Sequence, residues 1–172
     1  MRHLKSGMEI KFIADNNVAK LARWLRLIGY DTLLLKQKDD SQMIRTALNE
    51  DRMILTKDTQ FMKRRLVKND QLKAILIRQD DPKGQIREVV KALDLDCHYN
   101  PFSLCLECNQ ILRSRGKEEV RSLVPTHVFE TQTQYTECPV CHRIYWRGTH
   151  WQAMVRKLQD LQREGGENCA SG

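Results

Sequence analysis

The sequence predicts an α/β fold: a parallel sheet covered by helices on both faces, followed by a small cysteine-rich module and a final helix. Over the first hundred residues, short apolar runs alternate with stretches of amphipathic helical periodicity, which is the pattern of β-α units. The strand-like runs are apolar throughout rather than at every second position, as expected for strands buried on both faces. After them this periodicity ends and two Cys-x-x-Cys pairs follow.

Four strands alternate with four helices in this interpretation. The first helix, 17–28, has Val18, Leu21 and Leu25 on one face, and Gly29 is well placed to end it. The same reasoning gives strands at 10–14, 31–35, 52–56 and 72–77, and further helices at 41–49, directly after Asp58 and at 84–93.

The character of the chain changes after the fourth helix. An Asn-Pro turn at 100–101 breaks the pattern, and the stretch from Cys105 to Trp146 is rich in turn-forming residues. A last amphipathic helix is predicted over 149–164. We expect three segments: an α/β domain over 1–97, a cysteine module with its closing helix over 98–164, and a disordered tail over 165–172.

The bulk composition is that of a globular protein. At 172 residues, the chain is long enough for one ordinary domain with a small appendage. No apolar run approaches the length of a membrane helix, and the N-terminal ten residues lack the apolar core of a signal peptide. We therefore expect a soluble cytoplasmic protein that binds no membrane, and no protein partner can be read from the sequence.

The formal net charge is +7, of which residues 1–100 carry +6. This balance favours a polyanionic partner, nucleic acid first, although a generic basic surface explains it equally well. The cations that we expect to contact phosphates are Lys20, Arg23 and Arg26 on the first helix, and Lys57 and Arg64 around the end of the third strand. A solvated charged face is the alternative for all of them.

Aspartates follow each of the four predicted strands. The residues concerned are Asp15, Asp39 or Asp40, Asp58, and Asp80 or Asp81. Because right-handed crossovers bring the carboxyl ends of parallel strands to one edge, these side chains are expected around one crevice. Crowded carboxylates repel one another unless a cation lies between them, and their oxygens suit Mg²⁺ or Mn²⁺. The pattern therefore predicts a divalent-metal site.

Helix capping is the other explanation for these aspartates. Aspartate is a favoured N-cap, and each of them precedes a predicted helix. Asp40 or Ser41 would cap the second helix, and Asp58 the third. Capping and metal binding are compatible, and it is the recurrence at equivalent strand ends that favours the metal site.

The two Cys-x-x-Cys pairs predict a zinc ribbon. Each pair supplies two thiolates from a tight turn, and two such turns complete a tetrahedron around Zn²⁺. The four ligands would be Cys105, Cys108, Cys138 and Cys141, with a hairpin or loop across 109–137 between them. A closed four-thiolate site is structural, because no position is left for water. A redox pair is the alternative, and the duplication of the motif argues against it.

Other residues near these pairs are weaker candidates. His142 and His150 are possible replacement ligands, but four thiolates already satisfy the ion. Cys97 and Cys169 lack partner spacing and are expected to be free thiols.

Three aromatic residues, Tyr145, Trp146 and Trp151, follow the second pair. They are able to stack nucleobases, but packing of a small ribbon against its neighbour is the commoner use of such residues. We therefore expect them to contribute to a core.

Taken together, these motifs resemble the RNase domain found at the C-terminus of Mut-seven-type exonucleases. The resemblance covers about residues 10–160, nearly the whole chain. The stretches that carry it are "FIADNNVAKLARWLRLIGYDTLL", the following "DD", "ILTKD", "CLECN" and "CPVCHRIYWRGTHW".

The resemblance implies a PIN-like α/β fold with a zinc ribbon, and metal-dependent cleavage of RNA. It assigns the catalytic, metal-binding roles to Asp15, Asp40 and Asp58, and it places the fourth acid of PIN-like sites near Asp80 or Asp81.

The chain departs from the family pattern at two places. Asn17-Val18-Ala19 stands where the family often has two apolar residues and a glycine, and Lys57 stands where arginine is common. Neither change removes a carboxylate, so they bear on substrate contacts more than on metal binding.

Two functions from different classes follow from these observations. The first is a divalent-metal-dependent ribonuclease with an aspartate cluster, Mg²⁺ or Mn²⁺ as catalytic cofactor, structural Zn²⁺, and RNA as substrate. The second is a non-catalytic RNA-binding adaptor, with a degenerate PIN-like site and a binding ribbon. Affinity for RNA that persists without divalent cations, and without any cleavage, would distinguish the adaptor from the nuclease.

Overall fold

The structure is a computed structural model. It describes residues 9–36 and 39–166, without the side chains of 150, 158, 159 and 161–166.

Strands and helices alternate over the first hundred residues, as predicted, and the strands and long helices agree with the sequence to within two residues at each end. In chain order they are β1 (Lys11–Asp15), α1 (Ala19–Leu27), β2 (Thr32–Leu35), α2 (Asp40–Asn49), β3 (Arg52–Thr56), α3 (Arg65–Lys68), β4 (Ala74–Leu76) and α4 (Pro82–Leu93). Short 3-10 turns precede α1 and α3, at Asn16–Val18 and Phe61–Lys63.

The four strands form one parallel sheet in the order β2-β1-β3-β4. The chain leaves β1 toward one side to form β2, and then returns past β1 to form β3 on its other side. This reversal makes a topological switch point between the carboxyl ends of β1 and β3, where open parallel sheets bind their ligands.

Helices cover both faces of the sheet. Phe12, Ala14 and Leu55 point to one face and pack with α1 and α4, whereas Ile13 and Ile54 point to the other face and pack with α2 and the segment around α3. All five side chains are completely buried. Burial on both faces explains why these strands are apolar throughout.

The C-terminal part holds a second, antiparallel sheet and more regular structure than we predicted. Its elements are β5 (Arg113–Arg115), α5 (Thr126–Thr131), β6 (Tyr135–Glu137), β7 (Ile144–Trp146) and α6 (Thr149–Gly166). The sequence predicted only a hairpin or loop over 109–137. Helix α5 has six residues, too few to show a helical period, and it is stabilised by the small core of Val120, Val128 and Tyr135.

The last helix, predicted over 149–164, is confirmed and continues to Gly166. Met154 and Trp151 on this helix pack against the core formed by α1 and α4. The rest of the predicted tail, 167–172, lies outside the described residues. The division of the chain at residues 97 and 98 stays a prediction.

Arg26, at the end of α1, joins the two parts of the chain. Its side chain is 3% exposed, although it is charged. Nε donates to the Thr32 carbonyl at 2.8 Å, and Nη1 donates to the carbonyls of Leu106 and Glu107 at 2.7 and 3.0 Å. Buried charges need such partners, and here the partners come from β2 and from the first Cys-x-x-Cys turn.

A second set of hydrogen bonds anchors the same turn. The Asn109 amide donates through Nδ2 to Asp31 and accepts through Oδ1 from the Thr32 backbone N–H. The Arg52 guanidinium also donates to the Asp31 carboxylate, through Nη1 at 2.7 Å and through Nη2 at 3.0 Å. Burial alone would raise the pKa of Asp31, but the hydrogen bonds from Arg52 and Asn109 outweigh it and hold the pKa below its ordinary value.

The loop between the two parts is fixed by a glycine. Gly29 follows α1 with φ +97°, and a β-carbon there would lie 2.2 Å from the Asn100 carbonyl oxygen. Only glycine tolerates both the left-handed backbone and this close approach.

Replacing Arg26 with alanine should lower the free energy of unfolding by about 2–4 kcal/mol, since three partly or fully buried carbonyls lose a charged donor. The control is Arg23→Ala on the same helix. Arg23 is 54% exposed and pairs with Glu107 at 2.7 Å, so its loss should cost less than about 1 kcal/mol. Urea unfolding followed by circular dichroism, with Zn²⁺ present, measures both. Equal losses would mean that Arg26 does not join the two parts.

Candidate active site and metal centre

Asp15 and Asp58 meet through the hydroxyl of Thr56. The Thr56 hydroxyl donates to Asp15 Oδ2 at 2.8 Å and accepts from the Asp58 backbone N–H at 3.0 Å. These residues come from the carboxyl ends of the neighbouring strands β1 and β3, at the switch point of the sheet. The Asp15 carboxylate and the Asp58 backbone are therefore joined through one hydroxyl, at the edge where the parallel-sheet argument places the predicted acids.

Each of the two carboxylates also holds the turn that follows it. Asp15 Oδ1 accepts from the Asn17 backbone N–H at 2.8 Å, and Asp58 Oδ1 accepts from the Gln60 and Phe61 backbone N–H groups at 2.8 and 3.2 Å. Capping was the alternative explanation for these aspartates. It describes Asp15, which is the N-cap of the 3-10 turn at Asn16–Val18. The third helix begins after Arg64, so the expectation that Asp58 caps it is wrong.

Asp40 does not cap α2. Its neighbour Asp39 is the N-cap and accepts from the Gln42 backbone N–H at 2.9 Å, so the expectation that Asp40 or Ser41 caps this helix is wrong. Asp40 is the first helical residue, and its carboxylate pairs with the Arg64 guanidinium. Arg64 in turn lies over the Phe61 ring, 5.3 Å from its centroid.

The two aspartates after β4, Asp80 and Asp81, are exposed to solvent. Asp81 caps α4 by accepting from the Gly84 backbone N–H at 2.9 Å. Asp80 is 95% exposed and pairs with Lys57, and this pairing lowers the pKa of Asp80. Neither residue is as enclosed as Asp15, Asp40 or Asp58, which are half-buried.

The four predicted zinc cysteines come together. Among the described residues, Cys105, Cys108, Cys138 and Cys141 are the one group of three or more potential metal ligands whose ligand atoms all lie within 4.8 Å of one another. The sulfurs of Cys105 and Cys141 are 3.6 Å apart. Tetrahedral Zn²⁺ with Zn–S bonds of about 2.3 Å needs sulfurs about 3.8 Å apart, so the cluster fits this ion. The aspartates form no such group in the part of the chain that the structure describes.

The two cysteine turns have the same geometry. In the first, the Cys108 N–H donates to the Cys105 sulfur at 3.3 Å; in the second, the Cys141 N–H donates to the Cys138 sulfur at 3.5 Å. Each turn ends in a residue with positive φ, Asn109 at 61° and His142 at 59°. Repetition of one local geometry at both pairs is typical of zinc-binding turns.

The electrostatics of the cluster favour a bound cation. Burial alone would raise the pKa of Cys105, but hydrogen bonds from Tyr145, whose oxygen is 3.1 Å away, and from backbone N–H groups lower it to about 7. Burial, together with the neighbouring Cys141 and Cys105 sulfurs, raises the pKa of Cys108 to about 12. Four thiolates this close therefore need a positive ion to coexist.

We call the sheet edge that carries Asp15, Asp40 and Asp58 the acidic crevice. It lies at the opposite edge of the sheet from the cysteine cluster. Asp15 and Asp58 follow the carboxyl ends of β1 and β3, whereas the first cysteine turn binds Thr32 and Asp31 at the amino end of β2. Strands of four or five residues separate the two edges by roughly 13–17 Å. The cysteines therefore contribute no ligand to the acidic crevice.

The predicted phosphate contacts have different environments. Lys20 and Arg23 are exposed on α1, and Lys57 and Arg64 border the acidic crevice, each paired with an aspartate. Arg26, which we predicted to contact phosphate, is not available to RNA, because its guanidinium is buried and bound to carbonyls.

The weaker candidates are placed as follows. His142 turns away from the cysteines and pairs with Glu137 at 2.9 Å, and Cys97 is a buried free thiol whose pKa burial raises to about 11. The side chain of His150 and all of Cys169 lie outside the described residues.

Three residues of the site were missed from the sequence. Thr56 was taken only as a β-branched strand residue, Asn109 as part of a loop, and Tyr145 as a core aromatic. A hydroxyl directly before a strand-end aspartate, and an amide directly after a Cys-x-x-Cys pair, were the available signals in "ILTKD" and "CLECN". Their partners are distant in sequence, so only the fold shows them.

A cavity of about 470 Å³ lies between the cysteine module, the end of α1 and the start of α6. Its walls include Leu27, Val128, Tyr145, Trp146 and Trp151. None of the aspartates discussed above lines it, so it is separate from the acidic crevice.

These features define an α/β protein with aspartates at one edge of a parallel sheet and, at the other, a cluster of four cysteines that could hold a metal ion. The family model of the Mut7-C RNAse domain matches residues 10–158. The chain therefore belongs to the Mut7-C RNAse domain family, which indicates a nuclease acting on RNA. The resemblance drawn from the sequence is confirmed.

Comparisons with curated proteins and with solved structures gave no match. The likeness to PIN-like domains thus stays a prediction. No helix within the described residues has the length and apolar character needed to cross a membrane.

Replacing Cys138 with alanine should strongly weaken zinc binding, because the ion loses one of its four thiolates and water must take the open position. Wild-type protein is expected to carry about one Zn²⁺ per chain after gel filtration, measured by mass spectrometry of the metal. Cys97→Ala is the matched control, since Cys97 is also buried but lies outside the cluster. A zinc content that falls equally in both variants would contradict the assignment.

Proposed function

We propose that this protein is a divalent-metal-dependent ribonuclease whose catalytic acids are Asp15, Asp40 and Asp58. The observation that carries the proposal is the placement of these acids. They follow β1, β2 and β3, which are neighbours in the parallel sheet, and the Thr56 hydroxyl joins the Asp15 carboxylate to the Asp58 backbone N–H. Membership of an RNase domain family gives RNA as the substrate class.

The donor chemistry suits Mg²⁺ or Mn²⁺, since both prefer carboxylate oxygens and water. Asp15 and Asp58 already share one hydrogen-bonded unit, whereas Asp40 is paired with Arg64. A cation that binds all three acids would displace Asp40 from Arg64. A cation bound there would lower the pKa of a water molecule and neutralise charge on the phosphodiester.

The side chains around the acids position them and the substrate. Thr56 fixes Asp15 by donating its hydroxyl to Oδ2, and the backbone donors of the turn after β3 fix Asp58. Arg64 and Lys57 lie at the rim, where a phosphate of bound RNA would replace their aspartate partners. Exposed Lys20 and Arg23 extend this basic surface along α1.

The zinc centre has a structural role in this proposal. Its first turn is bound to the sheet by Arg26 and Asn109. Four thiolate ligands leave no position for water or substrate, so the ion contributes stability rather than chemistry.

A non-catalytic RNA-binding adaptor is the second candidate. The observation that favours it is the ion pair between Asp40 and Arg64, together with the absence of a compact aspartate group among the described residues. An adaptor would bind RNA equally well with and without Mn²⁺, and would yield no products with any metal.

Replacing Asp58 with asparagine should reduce RNA cleavage by at least about 100-fold, because the side chain loses its charge but keeps an oxygen for the turn hydrogen bonds. End-labelled single-stranded RNA and DNA, incubated with Mn²⁺, Mg²⁺ or EDTA, provide the measurement. The position of the label separates cleavage from an end from internal cleavage.

Asp51→Asn is the control for Asp58→Asn, because Asp51 is an exposed aspartate that precedes β3, at the opposite edge of the sheet. It should cleave RNA at the wild-type rate. If Asp58→Asn cleaves as fast as Asp51→Asn, the assignment of the acidic crevice is wrong; if no protein yields products while RNA still binds, the adaptor is favoured.

Replacing Arg64 with alanine should have opposite effects on the affinity for Mn²⁺ and on the affinity for RNA. Removing the guanidinium frees Asp40, so Mn²⁺ should bind roughly two- to fivefold more tightly in the absence of RNA, the magnitude of an exposed ion pair. RNA should bind more weakly, because a phosphate contact is lost. Electron paramagnetic resonance of free Mn²⁺ and fluorescence anisotropy of labelled RNA measure the two affinities.

Arg65→Ala serves as the control for Arg64→Ala, since Arg65 is the next residue and is also exposed. It should leave Mn²⁺ affinity unchanged. Weaker Mn²⁺ binding by Arg64→Ala would show that Arg64 does not compete with the cation for Asp40.

A further inference from the structure

The cavity beside the cysteine module has the character of a ligand site rather than of a packing gap. Its volume of about 470 Å³ is within the range of small-molecule pockets. Its walls are mainly apolar, and polar side chains occur among them. The polar residues that line it are His127, Thr131, Gln132 and Thr149.

Aromatic rings form a large part of the wall. Phe102 makes edge-to-face contacts with Trp151, at a centroid distance of 5.6 Å, and with Tyr145, at 6.5 Å. Trp146 adds a fourth ring to the lining. Aromatic side chains in a cavity wall favour contact with a flat, unsaturated group, by stacking or edge to face.

A cation accompanies these rings. The Arg147 guanidinium lies over both Phe102 and Trp151, at 5.6 and 5.3 Å from the ring centroids, and the side chain is exposed. An exposed guanidinium attracts the phosphate groups of nucleic acids.

We propose that this cavity binds one unstacked nucleobase of single-stranded RNA, with Arg147 contacting the adjoining phosphate or stacking on the base. The inference deepens the proposed function, because it takes RNA as the substrate class from there. A nucleobase combines a flat π-face with ring acceptors, and its phosphate carries the negative charge that Arg147 complements.

The route from the acidic crevice to the cavity also suits RNA. Helix α1 begins beside Asp15 and ends at Leu27, which lines the cavity. Its exposed cations, Lys20 and Arg23, lie between the two sites and are able to contact the intervening phosphates. A single RNA molecule would thus contact the acids with one segment and the cavity with another.

The test compares two labelled ligands of equal length: single-stranded RNA and an abasic ribose-phosphate chain. Fluorescence anisotropy is measured without Mg²⁺ or Mn²⁺, so that binding is read apart from cleavage. Wild type should bind the RNA about 5- to 150-fold more tightly than the abasic chain, the range for stacking of one base. Equal affinities for the two ligands would overturn the proposal.

Filling the cavity tests its location. Thr131→Trp places a large ring in the cavity from an exposed position of α5, and should remove most of the preference for bases. Thr126→Trp is the control, because Thr126 is exposed on the same helix but does not line the cavity. A Thr131→Trp protein that keeps its zinc, its melting temperature and the full preference would overturn the proposal.

Arg147→Ala provides a second variant if Thr131→Trp fails to fold. It removes an exposed side chain and should weaken binding of RNA severalfold, whether Arg147 contacts the phosphate or the base; an unchanged affinity for RNA would count against the site. Base-dependent binding by a wild-type protein that cleaves nothing would overturn the proposed nuclease and leave the cavity assignment intact. Cleavage without any preference for bases would do the reverse.

Discussion

A single buried guanidinium holds the cysteine module against the parallel sheet. Arg26 donates to the start of β2 and to two carbonyls of the first cysteine turn, and Asn109 adds a second anchor at the same edge. An unpaired charge in this position would be very unfavourable, so the turn has essentially one position in which it satisfies Arg26. The placement of the metal centre, and of the cavity beside it, depends on this contact.

The parallel sheet separates two kinds of ligand atom. Its carboxyl edge gathers oxygen ligands, with Asp15 and Asp58 joined through Thr56, and its amino edge carries the sulfur cluster. Hard cations such as Mg²⁺ prefer the first set, and Zn²⁺ prefers the second. Distance across the sheet and ligand chemistry thus both keep a structural ion out of the proposed catalytic site.

Charge balance governs the acidic crevice. Asp40 pairs with Arg64, and Asp80 pairs with Lys57, so the carboxylates that are not fixed by turn hydrogen bonds have cationic partners. A metal ion would replace the cationic side chain as the partner of a carboxylate. An RNA phosphate would replace the carboxylate as the partner of the cationic side chain. The same side chains therefore neutralise the acids and, in the proposed reaction, bind the substrate.

The sequence by itself determined the order of strands and helices over the first hundred residues, the four cysteines that come together and the strand ends that carry acids, because periodicity and motif spacing are local properties. It did not reveal that Asp39 rather than Asp40 caps α2, that Arg26 is buried, or that Thr56 links the Asp58 backbone to Asp15. Each of these depends on which residues, distant along the chain, become neighbours when the strands pair. Only the tertiary structure decided them, because the free energy of a buried polar group is set by the partners that folding brings to it.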